Sequence, residues 1–199
     1  ALRHYESSFS AGVDGAALSG YPGALHRFQP LSGTSDALAL GSWQSNPVFL
    51  APGQQASIFL TWDDTYGAAT SDFDIWVAQN SNSQVVCCVT NHNNDSSTGG
   101  SGIPMELTAF TNTSGGGLWY DVYIQNYNNV GPSHNVELVM TAGGVPLAND
   151  AVFNFNTLAG SVPANSDAGG GVITVGAINS TDSGANSIAG YSSRGPTGD

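Results

Sequence analysis

The chain has 199 residues, of which 40% are apolar and only 9% are charged, and its three arginines face fifteen acidic residues. A formal charge of −12 without any lysine excludes nucleic-acid binding, which needs clusters of Lys and Arg. The surplus carboxylates fit either cation binding or the solubility of a polar surface. No stretch approaches the about 20 apolar residues of a membrane span, so we expect a soluble chain, with any signal peptide upstream of Ala1.

Short alternating runs of apolar residues, separated by clusters of Gly, Asn, Ser and Pro, predict antiparallel strands with one buried face. Residues 85–90 and 105–110 supply two further candidates, and the first is apolar enough for burial on both faces. Together they predict a mainly β fold, an antiparallel, jelly-roll-like β-sandwich over residues 41–145. The four alternating runs are SIFLTW at 57–62, DFDIWV at 72–77, LWYDVYIQ at 118–125 and NVELVM at 135–140.

The two flanks differ from this central block in sequence pattern. Residues 1–40 are mixed and rich in turn formers, whereas residues 146–199 contain one strong strand candidate, VITVGAI at 172–178. We therefore expect the sandwich to interrupt another fold. An isolated VITVGAI strand would need a partner, either residues 1–40 or a second chain in a dimer.

Cys87 and Cys88 are the only cysteines and are adjacent. Neighbours in an extended strand point to opposite faces, so an ordinary bridge between them is strained. Two separate thiols are the favoured interpretation, and a vicinal disulfide is the alternative.

Four aspartates flank two predicted strands. Asp63 and Asp64 end one strand, while Asp72 and Asp74 alternate at the start of the next. Oxygen ligands gathered at a strand end suit calcium, which would be structural here. Alternatively, the first two cap a turn and the other two face water.

A second candidate site consists of aromatic residues. If Leu118, Tyr120 and Val122 point inward, then Trp119 and Tyr123 share the outward face, with Tyr127 beyond them and Trp76 on a neighbouring strand. Exposed rings on a sandwich are suited to stacking on sugars. The alternative is that these rings pack against the flanks or stabilise the sheet as cross-strand pairs.

The C-terminal motifs carry a family resemblance. VITVGA, followed about a dozen residues later by YSSRGPT at 191–197, resembles the subtilisin-like serine proteases, the subtilase or peptidase S8 family. LTWDD at 60–64 and SDFDIWV at 71–77 look like paired strands of the pre-peptidase C-terminal-like β-sandwich domains of secreted proteases. The resemblance implies that the flanks belong to a protease α/β fold and that this chain is an internal part of a secreted enzyme.

The residues that such a protease needs for catalysis are missing from this chain. The glycine-framed segments that carry the family's Asp, His and Ser are absent, and His4, His26, His92 and His134 are predicted to be surface or turn histidines. Ser35 in GTSDALA at 33–39 is similar to the family's nucleophile segment. In the family that segment follows SSRGP, however, whereas Ser35 precedes it. We therefore predict a non-catalytic accessory or binding domain whose partners are the rest of a catalytic domain and a polysaccharide or protein substrate. The alternative is an autonomous carbohydrate-binding module that uses Trp76, Trp119, Tyr123 and Tyr127.

Overall fold

The computed structural model describes residues 3–16, 20, 22–28, 44–81, 84–87, 93–127 and 134–143. These residues form two antiparallel sheets packed face to face, which confirms the predicted mainly β sandwich. No helix in this part of the chain is long and apolar enough to cross a membrane. The strands are β1 (Arg3–Ser8), β2 (Ala11–Asp14), β3 (Ala24–His26), β4 (Asn46–Leu50), β5 (Gln55–Trp62), β6 (Phe73–Gln79), β7 (Gln84–Cys87), β8 (Met105–Thr111), β9 (Leu118–Asn126) and β10 (Asn135–Gly143).

The first sheet has the strand order β1-β10-β5-β8. Its central strands alternate strictly, so Ile58, Leu60 and Trp62 of β5 point into the core. The opposite, outward face carries a row of apolar side chains, in which Phe59 lies between Leu107 of β8 and Val139 of β10. Phe59 and Leu107 are 36% and 50% exposed.

The second sheet has the order β2-β3-β9-β6-β7. β3 and β4 both pair with the same edge of β9, β3 near its C-terminal end and β4 near its N-terminal end. Alternate residues of β6 and β9 face the core. Unlike that of the first sheet, the outward face of this sheet is mostly buried. A second apolar cluster lies there, formed by Leu25, Trp76, Ala78 and Tyr123. The inward residues are Phe73, Ile75 and Val77 of β6 and Tyr120, Val122 and Ile124 of β9.

Asn112 joins the two sheets at one end of the sandwich. Its buried amide nitrogen donates to the carbonyl oxygens of Leu50 and Gly116, each at 2.9 Å. Its oxygen accepts hydrogen bonds from the Tyr120 hydroxyl at 3.1 Å and from Ser114. The loop after β8 is thereby fixed to β4 and β9.

The described part of the N-terminal flank is built into the sandwich. β1 is the edge strand of the first sheet, paired with β10, and β3 pairs with β9 in the second sheet. The VITVGAI and YSSRGPT motifs and the GTSDALA segment lie outside the described residues.

Two expectations for residues 85–90 were wrong. The described strand there, β7, is an edge strand with half-exposed and exposed residues, because it pairs only with β6. Cys87 is disulfide-bonded, and the only other cysteine in the sequence is its neighbour Cys88. The favoured interpretation of two separate thiols is therefore wrong for Cys87, and Cys88 itself lies outside the described residues.

Candidate functional site

The first two of the four predicted calcium ligands belong to the loop between β5 and β6. The Asp64 carboxylate accepts backbone N–H bonds from Thr65, Thr70 and Ser71 at 2.8 to 3.0 Å. Burial raises the pKa of Asp64, but these three bonds and the nearby His134 outweigh burial and hold the pKa below its usual value. Asp64 therefore binds the backbone of its own loop. This agrees with the alternative interpretation, in which Asp64 caps a turn.

Asp72 and Asp74 share the outward face of the second sheet and are buried, each 3% exposed. The Asp72 carboxylate accepts the N–H of Asn94 at 3.0 Å. One oxygen of Asp74 has no hydrogen-bond partner in the described structure. Burial, followed by repulsion from Asp72, raises the pKa of Asp74 to about 7. The alternative interpretation, in which these two carboxyl groups face water, is therefore wrong.

The four aspartates do not form one acidic cluster. Within the described ranges, no three His, Cys, Asp or Glu side chains come together in a way that could hold a metal ion. Structural calcium at Asp63, Asp64, Asp72 and Asp74 remains a prediction, which melting temperatures with calcium and with chelator would test.

A chain of hydrogen bonds connects a serine, a histidine and an aspartate beside this loop. The Ser71 hydroxyl lies 2.7 Å from Nε2 of His134, and Nδ1 of His134 lies 2.8 Å from a carboxylate oxygen of Asp63. Asp63 follows β5, Ser71 precedes β6, and His134 precedes β10. We call this trio the relay. Its connectivity is that of a serine-hydrolase triad, in which a base contacts the nucleophile and an acid orients the base.

The relay lacks the other requirements of a hydrolase. Ser71 is fully buried, with a relative exposure of 0%, so no substrate reaches its hydroxyl. The backbone N–H groups of Thr70 and Ser71 both donate to Asp64, so they are not free to form an oxyanion hole. The ring of Phe73 packs against the His134 ring, with the two centroids 5.8 Å apart. The relay is therefore suited to connecting the two sheets and not to acyl transfer.

Two histidine predictions are corrected by these contacts. His134 is 8% exposed and His26 is 0% exposed, so neither is a surface histidine. His26 lies among aromatic rings, bonded to the Tyr5 hydroxyl at 2.9 Å, and burial lowers its pKa to about 4. The side chain of His4 and all of His92 lie outside what the structure describes.

The predicted aromatic row is only partly open. Trp76 and Tyr123 lie opposite each other on β6 and β9, on the outward face as expected. They are 3% and 7% exposed, however, so the expectation that they form an exposed surface is wrong. Burial, and then the charge of Asp121, raises the pKa of Tyr123 to about 12. Tyr127 is half-buried, and Trp119 is 42% exposed.

Trp119 has an exposed partner that the sequence analysis missed. Phe49 of β4 lies directly opposite Trp119 of β9, and their ring centroids are 5.5 Å apart with the planes inclined at 60°. Phe49 is 37% exposed, so the two rings form an open aromatic corner at one end of the second sheet. The alternation of Val48, Phe49 and Leu50 could have revealed it, because the two aliphatic neighbours are core residues.

Polar groups line one side of the aromatic corner. The backbone N–H of Asn80 donates to the carbonyl oxygen of Trp119 at 3.0 Å. The Asn80 amide donates to one oxygen of Asp121 at 2.7 Å, and the Ser45 hydroxyl donates to the other at 2.9 Å. Asp121 is two residues from Trp119 on the same face of β9, so the Asn80 amide lies on the face that also carries the Trp119 ring.

Comparisons with known proteins identify no relative. No protein-family model, no curated protein and no solved structure matches this chain.

Proposed function

We propose that this chain supplies a non-catalytic recognition domain to a secreted subtilisin-like serine protease. The family assignment rests on the resemblance of VITVGA and YSSRGPT in the sequence. The described residues contribute a β-sandwich, an architecture that presents a rigid surface for binding.

One observation carries the non-catalytic part of the proposal. The described structure contains a Ser–His–Asp chain, yet its serine is fully buried and the neighbouring backbone N–H groups bind Asp64. A serine hydrolase needs an accessible nucleophile and free donors for the oxyanion. The relay meets neither requirement.

The aromatic corner supports the recognition part. Phe49 and Trp119 are held by paired strands, so their rings lose little side-chain entropy on binding a ligand. Exposed large aromatic side chains on a rigid sheet are typical anchors of binding surfaces. Substrate recognition next to a catalytic domain is the role that fits both features.

Two assays of the purified 199-residue chain test this proposal. A fluorophosphonate probe should label no serine, and peptide or casein hydrolysis should stay at background. Pull-down on insoluble polymers, including collagen, cellulose, chitin and xylan, should retain the chain on at least one of them. Labelling of Ser71 would overturn the non-catalytic role, and failure to bind any polymer would overturn the recognition role.

A further inference from the structure

We infer that the aromatic corner of Phe49 and Trp119 binds a sugar ring of a polysaccharide. This inference rests on the proposed recognition function and names its ligand class. The corner is an apolar surface of two rings with polar groups at its border, and a pyranose has matching chemistry, with an apolar C–H face and a rim of hydroxyls.

The ring geometry suits one sugar unit. The two planes meet at 60° with centroids 5.5 Å apart, so a ligand can stack on one ring and contact the second at its edge. The rings protrude from directly paired residues of β4 and β9, which fixes their separation. A flat, extended apolar partner would find no continuous surface here, because the outward face next to the corner carries Asp121 with its bonded Ser45 and Asn80.

Asn80 supplies the hydroxyl-binding groups. Its amide nitrogen donates one proton to a carboxylate oxygen of Asp121, 2.7 Å from the nitrogen, which fixes the orientation of the carboxamide. The second amide proton and the carbonyl oxygen are a donor and an acceptor, the pair that vicinal sugar hydroxyls require. Asn80 is half-buried, so part of the residue is reachable from solvent.

The glycine turn before β9 keeps the corner open. A Cβ atom on Gly117 would lie 2.3 Å from Cζ of Phe49, so the Phe49 ring occupies the space that a side chain would take. Among the described residues, added Cβ atoms on Gly115 and Gly116 would meet no atom within 4 Å. The glycine turn therefore places no side chain of its own beside the corner.

The test measures binding of the full chain to cellulose, chitin and xylan by pull-down, and to their soluble oligosaccharides by saturation-transfer NMR. Trp119→Ala should weaken binding at least about tenfold, because the stacking surface is removed. Phe49→Ala and Asn80→Ala should each weaken binding severalfold. Phe59→Ala is the matched control, because Phe59 is 36% exposed against 37% for Phe49 but lies on the other sheet. It should leave binding unchanged.

Three outcomes would overturn the inference. Polysaccharide binding that survives both Trp119→Ala and Phe49→Ala would place the sugar site elsewhere. Binding to collagen or casein that depends on Trp119, without binding to any polysaccharide, would refute the sugar ligand and leave the recognition function intact. Absence of binding to every polysaccharide and protein would refute both. Thermal melting of each variant verifies that the sandwich is folded in these assays.

Discussion

The outward faces of the two sheets differ in burial, although both come from strands with the same alternating pattern. On the first sheet, Phe59 and Leu107 are 36% and 50% exposed. On the second, Trp76 and Tyr123 are 3% and 7% exposed, and the carboxyl group of Asp74 is buried next to them. Alternation therefore determines which residues share a face, and it does not determine whether that face meets water.

The contrast continues within the second sheet. Trp76 and Trp119 are both on its outward face, yet Trp76 belongs to the second apolar cluster while Trp119 is 42% exposed. Trp119 and Phe49 lie at the end of the face next to the glycine turn, and Trp76 lies near its middle. Position along the strand thus separates a structural tryptophan from a candidate binding residue.

The largest effect should come from truncating the buried tryptophan. Trp76→Ala should lower the free energy of unfolding by about 3 to 5 kcal/mol, because it leaves a cavity in the second apolar cluster. Trp119→Ala, on the same face, should lower it by about 1 kcal/mol or less. Urea unfolding of both variants measures the difference. Equal losses would show that the middle and the end of the face are equally packed.

The second prediction concerns pH and the buried Asp74. Its pKa is raised to about 7 from 3.8, so the folded state holds a proton that the unfolded state releases. This stabilisation is fully present below about pH 4 and is lost as pH rises towards 7, by at most about 1.4 kcal/mol per pH unit. His26 acts oppositely, because its pKa is lowered to about 4 from 6.5. Its stabilisation is full above pH 6.5 and is lost as pH falls towards 4.

Two variants separate these opposing contributions. In Asp74→Asn the His26 contribution remains, so stability should rise with pH between about 4 and 6.5 relative to the wild type. In His26→Gln the Asp74 contribution remains, so stability should fall with pH over the same range. Urea unfolding at four pH values gives both slopes. Each slope is compared with that of the wild type, because the raised pKa values of Asp72 and Asp121 add a pH dependence to all three proteins. A slope unchanged from the wild type in either variant would contradict the assignment.

A smaller effect is expected from the relay, which connects the two sheets at one end. Ser71→Ala leaves Nε2 of the buried His134 without its 2.7 Å partner, so unfolding should become easier by about 1 to 3 kcal/mol. Ser81→Ala, at an exposed serine, is the control and should change stability by less than about 0.5 kcal/mol. An unchanged stability of Ser71→Ala would mean that the relay contributes nothing to the joint between the sheets.

The smallest effect should come from the open face of the first sheet. Leu107→Ser should change the free energy of unfolding by about 0.5 kcal/mol or less, because the side chain is already 50% exposed. A loss comparable to that of Trp76→Ala, measured by the same urea titration, would show that this face is covered in solution.

Much of the fold could be predicted from local pattern. The runs at 57–62, 72–77, 118–125 and 135–140 became β5, β6, β9 and β10 with the expected inward residues. Alternation has a period of two residues, which is a property of the strand itself and needs no knowledge of its neighbours. The shared face of Trp119 and Tyr123 was predicted for the same reason.

The candidate site depended on contacts between distant residues. Ser71 and His134 are 63 positions apart in the sequence, and Ser45 and Asp121 are 76 apart. No local sequence pattern can therefore predict either hydrogen bond. The exposure of Phe49 and Trp119, and the burial of Trp76, follow from which residues pack over each part of the sheet. The sequence by itself determined strands β5, β6, β9 and β10, the two faces of each, and the acidic, lysine-free character of the chain. Only the tertiary structure decided which residues are reachable, because burial depends on packing between segments far apart in the chain.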